Sequence, residues 1–175
     1  MSSILATVKR NLGLAYALGR GGFPKDDTKA VELLSKAAEQ GDANAQCNLG
    51  IMYAQGRGGL VKDTAKAIEL YRKSAEQGNA NAQCGLGLAY AQGRGGLVKD
   101  STKATELLTK ARASSIASVR RVAEEELAKL GELHPVWQAR SMDATSGSGG
   151  TRGGAVTADA AASTAVVAVS GVERV

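Results

Sequence analysis

Few side chains in this sequence could carry chemistry. They are two cysteines, Cys47 and Cys84, one histidine, His134, and a glycine-rich stretch, Gly56-Arg57-Gly58-Gly59, which recurs at Gly19 and Gly93. Two thiols and one imidazole cannot complete a four-ligand zinc site by themselves, so no metal is expected. Phosphate-binding loops follow a strand, open directly onto a helix and space their glycines differently. Here the loop follows a helical pattern, which predicts a structural turn. His134 lies in Leu133-His134-Pro135, with no Ser or Cys at a recognisable catalytic spacing. The paired acids Asp26-Asp27 and the run Glu124–Glu126 lack the apolar surroundings that raise one carboxyl pKa for acid–base work. The residues therefore predict neither an enzyme nor a cofactor.

The spacing of the two cysteines leads to the main feature, a period of 37 residues. Asn11–Cys47 and Asn48–Cys84 agree at 25 of 37 positions without gaps, and Gly85–Arg121 agrees with the second unit at 19 of 37. The match fades after Ala111, where AEQG gives way to ARASS. Each unit reads as helix, loop, helix. In the second, helix A spans about Ala43 to Gln55, with Ala45, Leu49 and Tyr53 on one face. Glycines end it, since they accept positive φ. Asp63 can cap helix B, which runs to about Gln77 with Ala67, Leu70, Tyr71, Ser74 and Ala75 inward, and Gly78 stops it. Ala6 and Val8 occupy the places of Ala43 and Ala45 in the first unit. Neighbouring helices pack about 8–10 Å apart. Equivalent cysteines therefore lie beyond the roughly 7 Å Cα limit for a disulfide, and Cys47 and Cys84 are expected as free, largely buried thiols.

These units resemble the Sel-one-like repeat (SLR), a relative of the tetratricopeptide repeat. The resemblance rests on Ala43, Ala45, Gln46, Leu49, Gly50, Tyr53, Gly56, Gly58, Asp63, Lys66, Ala67, Tyr71, Lys73, Ala75, Gln77 and Gly78, and covers about residues 6–113. Gly59 lengthens the loop by one residue, and Ser115 stands where a glycine should end the third helix B. The resemblance implies an all-α superhelical solenoid of three repeats (about 6–42, 43–79 and 80–113, within residues 1–113). Residues 114–138 follow as a capping helix and short extension. The stripe Val119, Ala123, Leu127 and Leu130 would close the last open face. Residues 139–175 read as a disordered tail: from Ser141 onward 23 of 35 residues are Ala, Gly, Ser or Thr. Such a segment buries too little to offset about 1–2 kcal/mol of backbone entropy per residue.

The resemblance implies a non-catalytic protein–protein interaction module, an adaptor or scaffold, that binds a peptide or helical segment of an unidentified partner on its concave helix-A face. That face carries Asn44, Asn48, Ile51 and Gln55, with Asn81, Leu88 and Gln92 in the next unit. The amides suit peptide-backbone hydrogen bonds. Ile51 and Leu88 either meet a ligand or fill the space between units, and the sequence leaves both open. A cysteine-rich branch of the family, with paired cysteines inside each unit, carries a proposed hydrolase activity; one cysteine per unit departs from it. The uncapped first repeat leaves self-association open.

Charge offers an alternative. The chain carries formal charge +5, and Arg20, Arg57 and Arg94 recur at the repeat period, as do Lys25, Lys62 and Lys99, and Lys29, Lys66 and Lys103. Stacking would turn these into a basic edge able to meet an acidic partner or nucleic acid. The plainer reading is a solvated edge balanced by Asp26, Asp63, Asp100, Glu32, Glu69 and Glu106. Nucleic acid is disfavoured, because six aromatic residues make a poor stacking surface. No stretch reaches the roughly 18 apolar residues of a membrane span, and no signal-type segment opens the chain, so a cytoplasmic protein is the default expectation.

Overall fold

The computed structural model describes residues 2–131. His134, the extension to residue 138 and the tail from 139 lie outside the described residues. Seven helices run in sequence: α1 (Ser2–Leu18), α2 (Asp27–Glu39), α3 (Ala43–Gln55), α4 (Thr64–Glu76), α5 (Ala80–Gln92), α6 (Ser101–Arg112) and α7 (Ala117–Lys129). Each packs on the next, and α7 also touches α5. The result is an all-α solenoid of three hairpins closed at one end by α7.

The same local chemistry builds every hairpin. Asp26, Asp63 and Asp100 cap α2, α4 and α6, each carboxylate accepting from the backbone N–H three residues on at 2.9–3.0 Å. The same three residues donate their backbone N–H to the carbonyls of Tyr16, Tyr53 and Tyr90, which closes each glycine loop. Gly56 and Gly93 end helix A with φ of +65° and +69°. Helix B stops at Gly41 and Gly78, both at φ +85°. In the third unit, where Ser115 replaces that glycine, α6 ends at Arg112 and the chain turns directly into α7.

The interior is shared between units. One cluster joins Ala30, Leu34 and Ala37 of α2 to Ala45, Leu49 and Met52 of α3. A second joins Ile51, Ile68 and Tyr71 to Leu86 and Ala89 of α5. A third joins Cys84, Leu88 and Leu108 to Val119, Ala123 and Leu127 of α7. No hairpin buries its apolar stripe alone, which is why the fold is an array. Leu49 is buried as expected, whereas the Tyr53 ring sits at the rim of the core, half-exposed beneath the Lys66 ammonium 4.6 Å from its centroid. Tyr16 and Tyr90 repeat this under Lys29 and Lys103.

The first unit differs. Val8, which aligns with the wholly buried Ala45, is 55% exposed, and Ile4 and Leu5 are 73% and 51% exposed. Ala45 is buried because α2 lies against it; no described helix lies on the corresponding side of α1.

Polar side chains tie the units together. Gln46 donates to the Ala38 carbonyl and Gln83 to the Ala75 carbonyl, each adding a side-chain donor to a carbonyl that already accepts from the backbone N–H of Gly41 or Gly78. Within the second hairpin, the wholly buried Ser74 donates to the Ala43 carbonyl at 2.6 Å, and Gln77 donates to Gln46 Oε1 at 2.8 Å.

Candidate interaction surface

The seven residues expected on the helix-A face divide in two. Asn44, Asn48 and Asn81 lie in the first half of their helices. Asn48 donates to the Asn44 carbonyl of its own helix at 2.8 Å, and Asn44 Oδ1 accepts from Asn79, the cap of α5, at 2.7 Å. These amides are therefore already engaged within the fold. Asn81 Oδ1 is buried without a hydrogen-bond partner among the described residues. Toward the other end, Ile51 and Leu88 are buried at 7% and 4% exposure, so they fill the space between units.

Ile51 and Leu88 also border a feature that the sequence reading missed. Between the second and third repeats lies a cavity of about 380 Å³, lined by Ile51 and Gln55 of α3, Ile68 and Tyr71 of α4, and Gly85 and Leu88 of α5. Lys62, Thr64 and Arg94 line it as well. Gln92, expected beside them, does not. The available signal was Tyr71 itself, which stands where the other units have Leu34 and Leu108. Its larger ring is accommodated by Gly50 on one side and by Gly85 on the other, where earlier units carry Asn11 and Asn48. Any side chain at Gly50 would press on the ring, since a Cβ there would sit 2.8 Å from it. Tyr71 is 4% exposed, and its hydroxyl has no hydrogen-bond partner among the described residues. Burial holds that phenol well above its ordinary pKa, so it stays protonated.

The basic edge is not the uniform ladder that periodicity predicts. Arg20 is exposed in its loop. Arg57 reaches back into the first repeat, where its guanidinium grips both carboxylate oxygens of Asp27, Nε–Oδ2 at 3.0 Å and Nη2–Oδ1 at 2.5 Å. Arg94 lines the cavity. At the position equivalent to Asp27 the second unit has Thr64. Lys29, Lys66 and Lys103 lie over tyrosine rings rather than along a free edge. The glutamates at 32, 69 and 106 pair with lysines one turn on at 2.5–2.7 Å. Such solvent-exposed pairs contribute little to stability.

Neither thiol is placed for nucleophilic or metal chemistry. Cys47 and Cys84 are free and buried, and desolvation pushes both up to about 12. At mildly alkaline pH the folded chain should resist iodoacetamide and label at both cysteines only once urea unfolds it, as read by mass spectrometry. Rapid labelling of the native protein would contradict this burial. Among the described residues no cluster of His, Cys, Asp and Glu could hold a metal ion. No described helix is long and apolar enough to cross a membrane.

The likeness to known proteins is now specific. A crystal structure of a Sel1 repeat protein from Oxalobacter formigenes matches with 35% identity and a TM-score of 0.56, over 61% of this chain and 42% of that one. A second match is c5321, described as a protective antigen of uropathogenic Escherichia coli strains displaying an SLR fold. It shows 39% identity and a TM-score of 0.57, over 61% of this chain and 22% of that one. The chain thus spans less than half the length of either relative. No curated protein matches it. The Sel1 repeat profile matches residues 9–42, 43–79 and 80–114 in register with the three hairpins. Its repeat is a non-catalytic, tetratricopeptide-like protein-interaction fold, and on these matches the chain belongs to the Sel1 repeat family.

Proposed function

We propose that this chain is an adaptor or scaffold that holds an extended or helical segment of a partner protein against the helix-A face of its repeats. The observation that carries the reading is the cavity at the second junction, where the helix-A residues Ile51, Gln55 and Leu88 border space large enough for a partner side chain. Specific ligand sites combine such apolar walls with a few polar groups that fix orientation. The amide of Gln55 lies at that site, and the exposed amide of Gln92 lies one unit further along the same face.

Affinity capture from the native cell, comparing wild type with a Gln55→Arg/Gln92→Arg double variant, tests the face. Capture of a defined partner should fall about tenfold or more, the loss expected when bulky charges replace orienting contacts. Charge reversal at Arg20, which lies on the loop edge, should leave that capture unchanged. A folded double variant that captures the partner as well as wild type would remove the helix-A face from consideration. Loss with the Arg20 variant alone would move the contact to the basic edge. The ion pair between Arg57 and Asp27 makes Arg20 the cleaner probe of that edge.

A further inference from the structure

The first helix is not a copy of the helices it aligns with. α1 has 17 residues where α3 and α5 have 13. Its extra turn holds Ile4 and Leu5 in helix at the positions where later units have a turn and a cap, Gly41-Asp42 and Gly78-Asn79. In those units one face of helix A is buried against the helix B before it: Ala45, Leu49 and Met52 on α2, then Ala82, Leu86 and Ala89 on α4. The same register in α1 reads Val8, Leu12 and Ala15. With Ile4 and Leu5 these form an apolar stripe along the side of α1 opposite Ala6, Gly13 and Ala17, which pack toward α2. Ile4, Leu5 and Val8 are three of the six large apolar side chains exposed among the described residues, and the other three lie in loops. A contiguous apolar surface of this kind marks an interaction site, whereas single exposed side chains do not.

The surroundings select the occupant. A hairpin placed before α1 in the manner of the other junctions would enter through a glycine turn, and here helix runs through that point. The outer side of α7 carries exposed Arg120, Arg121 and Glu125, so stacking copies end on end would bury charges against the stripe. Among the described helices only α1 exposes large apolar side chains, and the surface that matches the stripe is therefore the stripe itself. A self-matching patch closes on a two-fold axis and does not grow into a filament. We propose that two copies of this chain associate through α1, with Ile4, Leu5, Val8 and Leu12 of one copy packed on the same residues of the other. α1 contains no acid, and its Arg10 is paired with Asp42 at 2.9 Å, so the contact is apolar with only Lys9 flanking it. Two turns of helix bury less than the roughly 1,200 Å² of a stable interface, so the dissociation constant should be on the order of 10–100 µM. Every residue involved lies on α1, and the inference stands apart from the adaptor reading.

Sedimentation velocity of the full chain over a concentration series should show a monomer–dimer equilibrium in that range. Val8→Lys, at a site already exposed, should weaken it about tenfold or more, whereas Val61→Lys, on an equally apolar loop position, should leave it unchanged. Raising sodium chloride from about 50 to 500 mM should hold or tighten the dimer, since the flanking charges are alike. Val8→Cys gives a second readout. Cys47 and Cys84 are buried, so the introduced thiol is the accessible one, and mild oxidation should link two chains at Val8→Cys but not at Val61→Cys. A chain still monomeric at about 1 mM would overturn the proposal. So would a dimer indifferent to Val8→Lys, one that dissociates in salt, or equal cross-linking at the two cysteine variants. A monomer whose α1 amides exchange as slowly as those of α3 would assign the cover to residues 132–175 of the same chain, and would equally remove the second copy.

Discussion

Leu108→Ala should lower the unfolding free energy by about 2–5 kcal/mol, the usual cost of emptying a fully packed leucine site. Leu108 has no exposed surface and lies in the cluster that joins α5 and α6 to α7. Its neighbours cannot close the gap. A Cβ on Gly87 would already sit 2.9 Å from Leu108 Cγ, so α5 is at closest approach there, and Val119 and Ala123 are held by α7. Urea denaturation followed by far-ultraviolet circular dichroism measures the change, with the exposed Thr109→Ala as control. A loss below about 1 kcal/mol, the range of ordinary surface substitutions, would mean that α7 does not seal this end. Because α7 contributes three of the seven buried residues of the cluster, the loss should be accompanied by increased exposure of Cys84 to thiol reagents.

The second large effect is expected in the loop. Gly58 and Gly59 both have positive φ, +66° and +80°. An alanine at either position incurs the left-handed backbone cost, about 1–2 kcal/mol. Only Gly58 faces a neighbour. A Cβ there would overlap the Asp27 carbonyl and the Val31 methyl of the preceding repeat, whereas nothing lies within 4 Å of one at Gly59. Gly58→Ala should therefore cost about 2–4 kcal/mol, because a backbone carbonyl at the start of a helix cannot swing aside as a side chain can. It should also pull the Arg57 guanidinium away from Asp27. Gly59→Ala should cost about 1–2 kcal/mol. Equal losses in the two variants, measured by the same urea transitions, would show that the loop does not pack on the first repeat.

These two glycines show how far the sequence could be read. The end of helix A at Gln55 follows from a local signal, the glycine after it, and the structure has it at that residue; the Asp42 cap before Ala43 is seen only in the structure. The extra Gly59 is tolerated because it projects into open space. By contrast, the partner of Arg57 lies 30 residues earlier, and only the stacking angle of the hairpins brings Asp27 to it. Periodicity makes Arg20, Arg57 and Arg94 look equivalent, yet their neighbours in the preceding hairpin are not. Val8 differs from Ala45 for a related reason. Its burial would depend on a helix on the far side of α1, which no property of Val8 itself records. The cavity was hidden because Tyr71 satisfies the apolar pattern of helix B as well as leucine does. Its consequence appears only when Gly50 and Gly85 are seen on either side of the ring.

The bonds that join neighbouring hairpins run largely from a fixed place in one motif to a fixed place in the next, as with Gln46 to Ala38 and Gln83 to Ala75. Such wiring is modular. A gene that gains or loses one whole motif leaves the remaining connections valid, so copy number can drift without redesign of the joints. The Tyr71–Gly85 pair breaks that interchangeability, and a recombination event between them would strand a phenol against an asparagine. Selection acting on this locus should therefore count the second and third motifs as one inherited block.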